Sequence, residues 1–171
     1  QVTEAPTGFD EQTNGLTTQG QFIADREIFN DQEQIEDGLG PVYNAQSCGE
    51  CHQNPVSGGA TQISELRAGR FNGGTFTEHP GGSLIHSRAI DAAIQERLSG
   101  VNNVRSFRLT LSVLGDGFVE SIEDQTFIAI ANSQPPTMRG EIFSAPILEA
   151  SGARRVGRFG WKNQHASLVS F

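Results

Sequence analysis

Residues 47–52 read Ser47-Cys48-Gly49-Glu50-Cys51-His52, and the reading of the chain turns on them. Cys48 and Cys51 are the only 2 cysteines among 171 residues. They stand three positions apart, with a histidine directly after the second. On a helix this spacing sets two thiols one turn apart on the same face. Two thiols so placed match the two vinyl groups of one porphyrin, and the next histidine then falls beneath the iron. The C-x-x-C-H pattern therefore predicts one covalent c-type haem, attached through Cys48 and Cys51, with His52 as the proximal iron ligand.

Other readings of the motif compete with this one. A zinc site needs two further ligands, but there is no second cysteine pair, and His79, His86 and His165 are scattered along the chain. A thioredoxin-like redox pair belongs in a βαβ setting, whereas glycine-rich segments surround this one. Chance occurrence is the third alternative. With both thiols bound to haem, none is left for a disulfide.

Upstream of the motif, Phe22, Ile23 and Phe29 recur so as to share one face, which predicts a helix over 18–30. Gly38-Leu39-Gly40-Pro41 closes the segment after it and opens a new element at Pro41. That element, 42–52, reads as a short helix with Val42 and Tyr43 turned inward. Downstream, 54–82 is rich in glycine and proline and reads as a long loop, of the kind that wraps something. Ile90, Ile94 and Leu98 recur every four residues and predict a helix over 88–98, with Gly100 beyond its end. Phe107, Leu109, Leu111 and Val113 alternate with polar residues in a strand-like period of two. A helix is expected over 121–132, capped by Ser121 and stopped by Pro135-Pro136, and another begins at Gln164.

The far side of the iron has several candidates. Met138, the only methionine, lies in a stiff proline-containing loop, and a thioether ligand there favours electron transfer by raising the potential. The same residue equally suits a gap in the core. His79, His86 and His165 are the alternatives, as is an open site. Glu120 follows an apolar strand where a helix begins, so its carboxylate suits the helix dipole. Facing an open iron, it would instead move protons during peroxide cleavage. Arg108 is either a solvated strand residue or a partner for a haem propionate. Trp161 either stacks at the haem edge or belongs to the core.

Composition bounds the partners. The net charge is −8, which excludes a nucleic-acid-binding role on electrostatic grounds. No stretch has the length of a membrane-spanning helix. The polar opening over 1–20 reads as a weakly ordered arm at a processed terminus. Residues 21–171 then read as a single haem domain. With 20 glycines and a modest apolar fraction, the domain is expected to be loop-rich, and a bulky buried group would supply contact area that its side chains lack.

The run from Gly38 to Cys48, continuing into Cys51-His52, resembles the di-haem oxidoreductases. This thiol-oxidoreductase-like family is related to the bacterial di-haem cytochrome c peroxidases. Residues 115–122 and Val156-Gly157-Arg158-Phe159-Gly160-Trp161-Lys162 agree with it. The resemblance implies a mainly α, cytochrome c-like fold with long glycine-rich loops and at most a short strand pair. It implies haem attachment at Cys48, Cys51 and His52, and it makes Glu120 the residue to compare with the peroxidases' catalytic glutamate. It also admits a calcium ion, although no acidic loop here has EF-hand spacing. Family members usually carry a second C-x-x-C-H, which this chain lacks, so it looks like the N-terminal half of such a protein.

Three functions follow as expectations. The first is a mono-haem electron-transfer domain in the cell envelope, serving a redox partner or a second haem domain. The second is a peroxidase-like enzyme domain that uses Glu120. The third is a haem-bearing interaction module. Because haem is generally attached to such motifs outside the cytoplasm, a periplasmic or otherwise extracytoplasmic location is expected.

Overall fold

The structure is a computed structural model that describes residues 9–171. The expected arm over 1–20 lies outside the described residues for its first eight positions. The chain divides into two compact units, one running to Leu114 and the other from Gly115 to Phe171.

The first unit opens with helix α1 (Gln19–Asn30), where a helix is expected, and the Thr18 hydroxyl caps it by accepting from the Gln21 N–H at 3.2 Å. Arg26 pairs across to Glu11 at 2.5 Å. Strand β1 (Val42–Tyr43) follows the Gly40-Pro41 step, and then comes a four-residue helix, α2 (Cys48–Cys51). Of the helix expected over 42–52, only this last turn forms.

The expected loop over 54–82 is largely sheet. Strand β2 (Ser64–Asn72) turns through Gly73-Gly74 into β3 (Thr75–Glu78), with both glycines at positive φ as a two-residue hairpin requires. Phe71 lies opposite Phe76 across the pair. Strand β4 (Leu84–Ile85) adds to β2, β5 (Arg88–Ala89) pairs with β1, and β6 (Val104–Leu109) runs antiparallel along β2. The helix predicted over 88–98 is absent, apart from a short 3-10 turn over Ala92–Ile94. Side chains override the four-residue periodicity there. The Glu96 carboxylate accepts from the His86 backbone N–H and the Gln95 amide donates to the His86 carbonyl, which bends the segment back on itself.

The second unit holds α3 (Asp116–Ser121), α4 (Asp124–Ser133) and the antiparallel pair β7 (Ser144–Pro146) and β8 (Arg154–Val156). The expected 121–132 helix forms as α4, beginning three residues later, and a separate helix α3 precedes it across Ile122-Glu123. Ser121 does not cap the second of them. Its hydroxyl donates to the Phe118 carbonyl inside the first. Arg158 fixes the break by donating from Nη1 to the carbonyls of Val119, Glu120 and Ile122, while its Nη2 meets Asp124. Residues 164–171 form turns and no helix.

These elements correct the mainly α, cytochrome c-like expectation. The described residues are 23% helical and 21% strand, with the strands in three sheets. The core is thin. Among the described residues, the first unit buries only Ala68 and Ile85 as apolar side chains, and no large side chain of either unit is fully buried.

Candidate functional site

The Cys48–Cys51 turn is held from three directions. Ser47, in extended conformation, caps it by accepting from the Glu50 N–H at 3.1 Å. The Glu50 carboxylate accepts in turn from the Gln46 N–H at 3.0 Å and lies 3.6 Å from Arg88. Gly49 is buried against the end of α1, where an added Cβ would sit 2.0 Å from Asn30 Oδ1. The side chain of Asn30 is itself fixed on Ser57 by hydrogen bonds of 2.8 and 3.0 Å. The first variable position of the motif therefore has room for glycine alone.

His52 ends the turn, its backbone N–H reaching the Cys48 carbonyl at 2.9 Å. Its ring Nδ1 lies 2.8 Å from the Leu111 carbonyl oxygen. A carbonyl can only accept, so Nδ1 carries the proton and Nε2 presents a lone pair. Metal-binding histidines are oriented in this way by a partner on the other ring nitrogen. The clamp is completed by backbone bonds from Gly58 to His52 and from Val113 to Gly58, both 2.8 Å. Phe29 packs beside the imidazole, with its ring centre 6.3 Å away.

Cys48 is exposed and Cys51 half-buried, and both are free thiols. Burial first, then the Glu65 and Glu50 carboxylates, push the Cys51 thiol up. Thiol–disulfide exchange needs the opposite shift. Among the described residues no group of three or more His, Cys, Asp or Glu side chains converges as a metal-ion cage.

Beside the turn, Phe107, Leu109 and Leu111 form a stripe that leads to the carbonyl holding His52. They are 70%, 61% and 79% exposed. Cys51 also opens on a cavity of about 470 Å³ in the first unit. One face of the sheet contributes to its walls, through the cross-strand row Ile85, Leu66 and Phe107. Cys48, Cys51 and the oriented imidazole of His52 are donors of the kind that hold a covalently attached porphyrin, and of the three only Cys51 lines this cavity.

The other predicted residues fall into two groups. His86 lines the cavity with Cys51, whereas His79 holds its Nδ1 buried without a hydrogen-bond partner. Arg108 is exposed on β6, opposite Glu65 in register. Met138, His165, Glu120 and Trp161 all belong to the second unit. Met138 is 74% exposed, and its N–H donates to the Pro135 carbonyl. His165 packs edge-on against Phe171, and Trp161 is half-exposed.

Glu120 stands near the end of α3 and not at a helix start. Its carboxylate accepts from the Leu168 N–H at 2.7 Å and lies 3.8 Å from Arg155. It thereby tethers the C-terminal segment. Sequence reasoning missed Asn30, the Leu111 carbonyl and Glu96, all three acting through the residues they hold. None of the three carried a local sequence signal. No family model, curated protein or solved structure matches this chain.

Proposed function

We propose that this chain is a c-type cytochrome domain that carries one covalent haem and transfers single electrons in the cell envelope. The observation that carries the reading is the motif turn itself. Cys48 and Cys51 are spaced by one helical turn, and His52 is oriented through Nδ1 on the Leu111 carbonyl with Nε2 left for the metal. When bound, the haem supplies one-electron redox chemistry. Cys48 and Cys51 anchor it, His52 ligates it, and Phe107, Leu109 and Leu111 offer apolar surface that keeps water from it. The resemblance of residues 38–52 and 156–162 to the di-haem oxidoreductases supports the same reading and a partner bearing a second redox centre. Among the described residues, no helix is long and apolar enough to cross a membrane.

The test is to produce the chain with an extracytoplasmic haem-attachment system and denature it. Haem should stay with the polypeptide, and a Cys48→Ala, Cys51→Ala double variant should lose it. The native protein should then show a reversible one-electron couple. A chain that emerges without covalent haem, or whose haem does not cycle reversibly, refutes the proposal.

A further inference from the structure

We propose that the cavity of the first unit is a second binding site, one that takes a small organic carboxylate with an apolar body. The inference goes beyond the haem reading and does not rest on it. Of the motif's donors Cys48, Cys51 and His52, only Cys51 lines the cavity, so a haem held by the motif does not account for the space. Its volume of about 470 Å³ falls within the roughly 300–1,000 Å³ of small-molecule sites.

Such sites combine an apolar wall with a few placed polar groups. Here the wall is Leu66 and Ile85, opposite each other across β2 and β4, together with Ile63 and Leu98. Ile63 is half-exposed, so a ligand laid against this wall removes apolar surface from water.

Charge selects the head group. Both carboxylates of the lining are already engaged. Glu65 pairs with Arg67 at 2.9 Å, while Glu96 Oε2 accepts from the His86 backbone N–H at 2.6 Å and lies 2.8 Å from His86 Nδ1. Arg97 is the remaining permanent charge of the lining, and among the described residues its side chain makes no hydrogen bond or ion pair. Asn44 adds a donor of settled orientation. Its Oδ1 accepts from the Ser87 N–H at 2.8 Å, which leaves Nδ2 to donate. A guanidinium and an amide N–H₂ both donate, and a carboxylate only accepts. Beside Cys51 an anion is disfavoured. Burial first, then the Glu65 and Glu50 carboxylates, raise that thiol, and the same carboxylates repel a negative head group there. The head group therefore belongs at Arg97, with the apolar body along the Leu66 wall.

The experiment uses the full mature chain. Calorimetry compares octanoate with octylammonium, and amide NMR shifts locate the site. Octanoate should bind more tightly than octylammonium and shift residues of the lining, Leu66 and Leu98 among them. Arg97→Gln should weaken octanoate about fivefold, the most that an exposed ion pair carries, and leave the binding of octanol unchanged. Arg139→Gln, in the second unit, should alter neither. The proposal is overturned if octanoate does not bind, if its shifts fall outside the lining, or if Arg97→Gln leaves its affinity unchanged. Should that variant fail to fold, the native chain still decides, because octylammonium binding as tightly as octanoate overturns the proposal as well. None of these readouts uses the haem, so a chain without covalent haem tests the proposal equally.

Discussion

Gly49→Ala is expected to reverse the usual effect of putting alanine in a helix. Replacing an interior helical glycine normally stabilises by up to about 1 kcal/mol, through backbone entropy. Here the new Cβ would stand 2.0 Å from Asn30 Oδ1, 3.0 Å from its Cγ and 3.3 Å from its Cα. Asn30 does not swing aside freely, because two hydrogen bonds to Ser57 hold its amide. Overpacking of a fixed contact costs about 1–3 kcal/mol, so after a propensity gain of up to about 1 kcal/mol the net cost is roughly 0–2 kcal/mol. Truncating Asn30 to alanine removes the two nearest clashing atoms along with the Ser57 bonds. In that background Gly49→Ala should be neutral to stabilising by up to about 1 kcal/mol, giving a coupling of about 1–3 kcal/mol in a double-mutant cycle. Urea unfolding of the four proteins measures it. A stabilising Gly49→Ala in the presence of Asn30, or an equal cost in both backgrounds, would refute the reasoning.

Two further outcomes concern the second unit. Arg158 is 1% exposed and donates to three carbonyls at the α3–α4 break as well as to Asp124; Arg158→Met should cost about 3 kcal/mol by leaving those acceptors unpaired. Unfolding followed through Trp161, the only tryptophan, measures it, and a loss under about 1 kcal/mol would contradict the role given to the fork. The Ser167 and Ser170 hydroxyls hold the Glu149 carboxyl below its ordinary value of 4.5. The unfolded chain therefore binds that proton more tightly. The stabilisation is complete above about pH 4.5 and fades as the pH falls through the lower folded value. Glu149→Gln should flatten the acid limb of the unfolding midpoint, and parallel curves for the two proteins below about pH 5 would count against it.

What the sequence made legible was local. Thr18 and the apolar face of 22–29 specify α1, and the alternation at Phe107 and Leu109 specifies β6, because both signals act within one element. The β2–β3 hairpin was hidden by its own composition. Gly69, Arg70 and Gly73-Gly74 read as loop, although Gly-Gly between two runs is also a hairpin signal. The 88–98 error has a different cause. Ile90, Ile94 and Leu98 keep helical spacing, but Gln95 and Glu96 are committed to His86, and two hydrogen bonds from non-adjacent positions outrank a weak periodicity. At the site, the motif and its histidine could be read directly. The partner that orients His52 could not, since Leu111 contributes a backbone carbonyl and any residue but proline's neighbour geometry would leave that atom silent in sequence.

The stripe on β6 has a consequence for how such a chain is made. β6 has β2 on one side and no second strand on the other among the described residues, and its Phe107 and Leu109 stand largely in solvent. A long apolar edge of this kind is a template for pairing with another copy. A newly synthesised polypeptide would carry that hazard until the surface is covered, so in that interval escort by a chaperone, or rapid proteolysis of stragglers, decides the yield.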